Sequence, residues 1–406
     1  MYLTLSKRFE FAASARMQNP DWSPEENGAY YGAAAGHQYG IGNNYTAYFI
    51  FHGPVDPATG MMINVSVIKE RVGAILNQRW DHKFLNVDTL PFNRVPPTPE
   101  NIARILLLET QAAFDDSSAK PVAVHLEVTP LTSATAYLDG TFERSFWIEF
   151  SAARRTCSPH LSDDENEQLF GVASSKMGHG HNYRLRATVT GRVDPDRGLL
   201  VPYQERCSAL NDLRAMLDHK NLNEEVAELK GWPITTESLA HFCYEHLSNR
   251  LPMVRVRLFE TSWFFAEYDR DSRTRAGVLR EFHASHRLHD PKLTDEANRA
   301  LYGKCNNPSG HGHRYRVEAT VDGEFDKRSG VLADLNWLYE SVGNTLEPWG
   351  FKHLDAEIDD FRERTSTGEN IVSILWPKLD AALAGRLYRL RLWETENNRF
   401  TLRKDI

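Results

Sequence analysis

Residues 303–315 read Gly-Lys-Cys-Asn-Asn-Pro-Ser-Gly-His-Gly-His-Arg-Tyr. A thiol, Cys305, stands just ahead of two histidines, His311 and His313, spaced i,i+2. The residues that follow alternate, with Tyr315, Val317, Ala319 and Val321 set against Arg314, Arg316, Glu318 and Thr320. That alternation predicts a half-buried strand, and on a strand i and i+2 share a face. Both imidazoles can therefore reach one metal ion. His286, in the strand-like Phe-His-Ala-Ser-His-Arg-Leu of 282–288, can supply a third nitrogen. Three neutral histidines with an open fourth position describe a catalytic zinc site rather than a structural one. Cys305 then reads as a thiolate base or nucleophile, not a fourth ligand.

The same pattern recurs. Gly-His-Gly-His-Asn-Tyr occupies 178–183, and a worn form, Gly-Ile-Gly-Asn-Asn-Tyr, occupies 40–45. Asp81-His82-Lys83 matches Asp218-His219-Lys220, and Thr-x-Glu elements recur at Thr98, Thr235 and Thr367. A period of roughly 130–140 residues is that of a small domain, not of a solenoid unit. Three tandem domains follow, at 1–140, 141–275 and 276–406. Each carries two hairpins and two amphipathic helices. In the third, Leu335, Leu338, Val342 and Leu346 line one helical face. The expected class is α+β, an antiparallel sheet with helices on one face. Pro377 inside the last helix is expected to shorten or kink it. The acidic run 162–167 reads as a solvated helix start.

Composition narrows the setting. Four cysteines do not make a disulfide framework, and no apolar run is long enough to span a membrane. The N-terminus has no signal-peptide layout, so a cytoplasmic, reduced protein is expected. A net charge of −8 argues against nucleic acid or an anionic membrane as partner.

Taken together, Phe-x-Ala-Ser-His-Arg-Leu, Gly-Lys-Cys-Asn-Asn-Pro-x-Gly-His-Gly-His-x-Tyr, Thr-x-Glu-Asn and Trp-Glu-Thr-x-Asn-Asn resemble the 6-pyruvoyl-tetrahydropterin synthase family. Asp-His-Lys-x-Leu-Asn in the second repeat completes the set. The resemblance covers the second and third repeats fully and the first more weakly. It implies the tunnelling fold (T-fold), with three four-stranded sheets joined edge to edge into a barrel. It also implies conversion of 7,8-dihydroneopterin triphosphate to 6-pyruvoyl-tetrahydropterin with loss of triphosphate. The five residues between Cys305 and His311 resemble the pyruvoyl type more than the related 6-carboxytetrahydropterin synthase. That carboxy-type lyase, and a non-catalytic pterin- or purine-binding protein, are the alternatives. By the resemblance Glu394 anchors the pterin edge and Thr367 and Glu369 contact substrate.

No repeat holds the complete set. The first has Ala15, Ile41 and Asn43 at the histidine positions, Ala34 or Ala35 for the cysteine and Val128 for the glutamate. The second has Arg154 and Ala173 for the first histidine and the cysteine, but keeps His179, His181, Asp218, His219 and Glu260. The third keeps His286, His311, His313, Cys305 and Glu394, and has Gly350-Phe351 where Asp-His belongs. Its His353 is shifted by two residues, and Gly368 replaces a threonine. The family's cysteine and Asp-His come from different subunits. The chain therefore reads as a trimer written in one chain, with two chains pairing as a homodimer. Its one zinc site sits in the third repeat, and Asp218 and His219 of the second repeat are expected to complete it.

Overall fold

A computed structural model describes residues 1–404. Each repeat opens on a long antiparallel hairpin. These are β1 (Tyr2–Ala15) with β2 (Ile41–His52), β6 (Phe142–Arg154) with β7 (His179–Gly191), and β11 (Thr274–His286) with β12 (His311–Asp322). Each closes on a shorter one: β4 (Lys120–Thr129) with β5 (Thr132–Tyr137), β9 (Met253–Phe259) with β10 (Phe264–Asp269), and β14 (Leu387–Thr395) with β15 (Asn398–Arg403). Three two-residue strands, β3 (Lys83–Phe84), β8 (Lys220–Asn221) and β13 (Lys352–His353), run parallel to the ends of β1, β6 and β11.

The last strand of each repeat pairs with the first of the next, β5 with β6 and β10 with β11. The remaining edges, β15 and β1, pair with each other from Tyr2↔Arg403 to Lys7↔Asn398. The two ends of the chain thus close twelve long strands into a barrel. Closure removes the free edges that each four-stranded sheet would expose alone.

Strand alternation sorts side chains between two environments. Tyr315, Val317, Ala319 and Val321 are fully buried under the helices, while Arg316, Glu318 and Thr320 point the other way, toward the barrel interior. The helix Leu335–Leu346 buries Leu338, Val342 and Leu346 on that outer layer, as its periodicity predicts. Thr98, Thr235 and Thr367 each N-cap the second long helix of their repeat. Ser162 and Glu165 form a capping box, so the acidic run is a helix start as read. Pro377 does not shorten its helix, which runs from Gly368 to Ala382. No helix among the described residues is long and apolar enough to cross a membrane.

Candidate functional site

Antiparallel register assembles the histidines. His286 ends β11 directly opposite His311, and Ala284 faces His313. The three rings lie with centroids 4.5 Å (His286–His311), 5.1 Å (His286–His313) and 4.9 Å (His311–His313) apart. One nitrogen from each lies within 4.8 Å of the others. His286 is wholly buried, and burial holds it well below the usual imidazole range, at about 4. His313 is lowered for the same reason. Neutral imidazoles are the form that binds a metal.

The layer behind the triad orients it. Nδ1 of His286 faces the Ser366 carbonyl at 3.1 Å, which as a donor contact leaves Nε2 free to ligate. The Ser366 hydroxyl donates to Asp355 at 2.8 Å, and Asp355 also accepts the Arg287 N–H at 2.8 Å. Glu394, on β14, lies 3.9 Å from His286 Nε2 and accepts from Asn398 at 3.1 Å. His311 Nδ1 is buried without a hydrogen-bond partner among the described residues. Three converging imidazole nitrogens beside a carboxylate are a donor set that fits a borderline-soft divalent cation.

Cys305 sits in the single turn Gly303–Asn306. Burial and the nearby Glu394 carboxylate push its thiol above the usual cysteine range, with Lys304 acting against them. Within one chain the surroundings favour the protonated thiol, through burial first and the Glu394 carboxylate second.

The loop 56–64 of the first repeat seals this site. Thr367 donates to the Gly60 carbonyl at 2.6 Å, Glu369 accepts the Met62 N–H at 3.0 Å, and Tyr302 donates to the Thr59 carbonyl at 3.1 Å. Thr367 therefore commits its only hydroxyl proton to a domain junction rather than to a substrate. Glu369 is fully buried, and burial raises it to about 7. Gly368 has a steric cause: a Cβ there would land inside the buried Phe400 ring. The same junction recurs around the ring. Thr235 meets Gly330 and Glu237 meets Leu332, while Thr98 meets Gly198 and Glu100 meets Leu200.

Comparison with known proteins gives three successive matches to the 6-pyruvoyl tetrahydropterin synthase family model, at residues 4–138, 145–271 and 277–405. The chain belongs to this family. The human 6-pyruvoyl tetrahydrobiopterin synthase is 44% identical over 121 residues, covering 29% of this chain and 82% of that protein. The putative Caenorhabditis elegans 6-pyruvoyl tetrahydrobiopterin synthase is 37% identical over 122 residues, covering 30% and 87%. The solved structure of 6-pyruvoyl tetrahydropterin synthase from the same organism aligns at 34% identity and a TM-score of 0.31, covering 32% of this chain and 95% of that one. This synthase family is one of lyases, and the chain is an enzyme of that class.

Among synthase-like repeats, the register shows what each has lost. Ala15 faces Ile41 in the first and Arg154 faces His179 in the second, where His286 faces His311 in the third. The turns Gly32–Ala35, Gly171–Ser174 and Gly303–Asn306 align, so Ala34 and Ala173 take the place of Cys305. In the second repeat His179, His181 and Glu260 still cluster, but Arg154 lies 2.6 Å from Glu260. Its guanidinium, aided by His181 and Thr236, holds Glu260 ionised at about 2. A cation thus already occupies the corner that His286 fills in the third repeat.

Asp218 and His219 are not brought to Cys305 within the chain. Asp218 accepts the Ser151 N–H at 2.9 Å, His219 lies 3.1 Å from Asp218, and the His219 side chain is 83% exposed. Asp81 and His82 repeat this arrangement on Ala12. The loop packed against Thr367 and Glu369 of the third repeat comes from the first repeat. Phe351, not His353, is the counterpart of the histidine. His82, His219 and Phe351 share φ near +60°, at 57°, 58° and 60°. Each backbone N–H donates 2.6 Å to the strand behind it. His353 is instead held in β13 beside Ser285. The supporting residues Ser366, Asp355 and Met62 were missed by sequence reading. Asp355 alone carried a signal, as it stands where the Asp-His-Lys-x-Leu-Asn pattern ends in Asn86 and Asn223.

Proposed function

We propose that this chain is a zinc-dependent 6-pyruvoyl-tetrahydropterin synthase with one working site, in the third repeat. The observation that carries this reading is the convergence of His286, His311 and His313 beside Cys305 and Glu394, a set intact in that repeat alone. The reaction takes 7,8-dihydroneopterin triphosphate to 6-pyruvoyl-tetrahydropterin and triphosphate. Hydrogens leave the side chain and reappear on the ring, so no external oxidant is required. Zinc, when bound, would polarise the side-chain oxygens of the substrate. Glu394 would accept the N–H donors of the pterin edge, and Thr367 and Glu369 would shape the pocket through the domain junction they hold. Cys305 would take a carbon-bound proton at its sulfur, with a histidine removing the thiol proton.

That histidine must come from a second chain. The exposed Asp-His pairs touch no other repeat of their own chain among the described residues. Two chains paired about a two-fold axis would let Asp218 and His219 reach the partner's third repeat. A two-fold makes the exchange reciprocal. The domain that donates its pair must itself receive Gly350-Phe351, and the degenerate second repeat needs nothing better. A cytoplasmic homodimer, with units at 1–140, 141–275 and 276–406, is part of this reading. Incubating the purified protein and zinc with the triphosphate substrate tests it. Release of triphosphate with a tetrahydropterin product is expected, and its absence overturns the proposal.

A further inference from the structure

The barrel interior carries charge that the chain does not neutralise. A cavity of about 280 Å³ lies inside it, lined by seven arginines and two carboxylates, Glu143 and Glu267. A third carboxylate, Glu318, is buried beside it. These three are already taken. Arg255 lies 3.1 Å from Glu143, while Arg257, Arg389 and Arg391 share Glu267 and Glu318. Arg186, Arg399 and Arg403 have no carboxylate within ion-pair distance among the described residues. Among the described residues their close partners are ring faces: Trp147 for Arg186, Tyr48 and Trp393 for Arg399, and Tyr2 for Arg403. Glu127, the next acid, is engaged by His125.

Hydrogen bonding gives an independent sign. The Nε atoms of Arg186, Arg389, Arg391 and Arg399 are buried without an acceptor among the described residues. Arginine cannot escape this by losing its proton. Arg403 is exposed and solvated, but Arg186, Arg391 and Arg399 are half-buried, and half-buried guanidiniums that face one cavity with too few anions repel each other. The charge is one-sided. Arg186, Arg255 and Arg257 come from the second repeat and the others from the third, while the first contributes only uncharged residues such as Thr4, Ile50, Ala123 and Tyr137. Three unlike repeats permit this asymmetry, which an exact trimer cannot have.

We infer that the barrel interior is an anion site, built for a small multivalent oxyanion of the phosphate kind. Guanidiniums bind such oxygens through paired N–H donors, and Arg186 and Arg399, which line the cavity and make no side-chain hydrogen bond among the described residues, supply them. The site is separate from the histidine triad and independent of the proposed reaction.

The test is binding of inorganic triphosphate and of orthophosphate to the full chain, read by calorimetry and by thermal unfolding at matched ionic strength in sodium chloride. One anion per chain is expected, with a saturable rise in Tm. Arg391→Gln combined with Arg399→Gln should weaken binding about tenfold or more, the loss of one or two charge-assisted contacts. Binding should survive His311→Ala with His313→Ala, which separates the interior from the triad. Should the double arginine variant not fold, Arg186→Gln replaces it with the same expectation. A Tm rise matched by sodium chloride overturns the inference. So does binding that survives the arginine variants, or that vanishes with the histidines. A preference for triphosphate over orthophosphate would identify the larger anion as the occupant, and the reverse the smaller; binding of neither overturns it.

Discussion

Mixing two inactive variants should restore turnover. Cys305→Ala and His219→Ala should each lower activity by about 10²–10⁴-fold, the range for a positioned acid–base partner. Neither loss should reflect unfolding. Among the described residues Asp218 is the one polar partner of the His219 ring, which is 83% exposed and so contributes little packing. An equal mixture of exchanging chains leaves half the dimers mixed. Each mixed dimer has one intact site of two, formed by Cys305 of the His219→Ala chain and His219 of the Cys305→Ala chain. About a quarter of wild-type turnover should therefore return, on isologous pairing. Triphosphate release measured after refolding the mixture is the assay, with native mass spectrometry confirming mixed dimers. No recovery among confirmed mixed dimers would refute donation between chains. Should His219→Ala stay active while His82→Ala fails, the first repeat is the donor and the same mixing with His82→Ala should give the quarter. Full activity in both variants would sink the Asp-His role.

Metal content gives a second check. Wild type should hold one tight zinc per chain, lost in His311→Ala with His313→Ala, whereas Arg154→His should create a second site with His179 and His181; elemental analysis showing no gain would refute the blocking role of Arg154. Burial raises Glu369 to about 7 from the ordinary 4.5, so the folded chain keeps a proton that the unfolded chain has released between those values. Its contribution is whole below pH 4.5 and is lost as pH rises through 7, on the order of 3 kcal/mol at 1.36 kcal/mol per unit. Glu369→Gln keeps an acceptor for Met62 N–H, so its Tm relative to wild type should be higher at pH 8 than at pH 5; the opposite trend refutes the assignment. Gly368→Ala should cost about 1–3 kcal/mol by overpacking against Phe400, seen as a lower urea midpoint with an unchanged slope.

The repeat, the strand faces and the histidine triad were legible in the chain because they are local. Alternation from Tyr315 to Val321 sets the face, and an i,i+2 pair follows whatever the strand does. His286 was legible because the repeat fixes where the partner strand ends. The losses in the first two repeats were equally plain, since Ala15, Arg154 and His286 hold one place in the pattern. What the sequence could not set is decided by how the repeats meet. The seal over the third site by Gly60 and Met62 depends on closure of β15 on β1, a pairing between the two ends of the chain. The environment of Cys305 depends on Glu394, nearly ninety residues later, whose charge acts through space. The outward placing of Asp218 and His219, and the replacement of histidine by Phe351 rather than His353, rest on backbone bonds to neighbouring strands. Such bonds carry no residue signature, because any backbone can make them. So too the surplus of guanidiniums inside the barrel: each arginine looks like an ordinary polar position on its own strand, and only closure turns their shared face into one enclosed space.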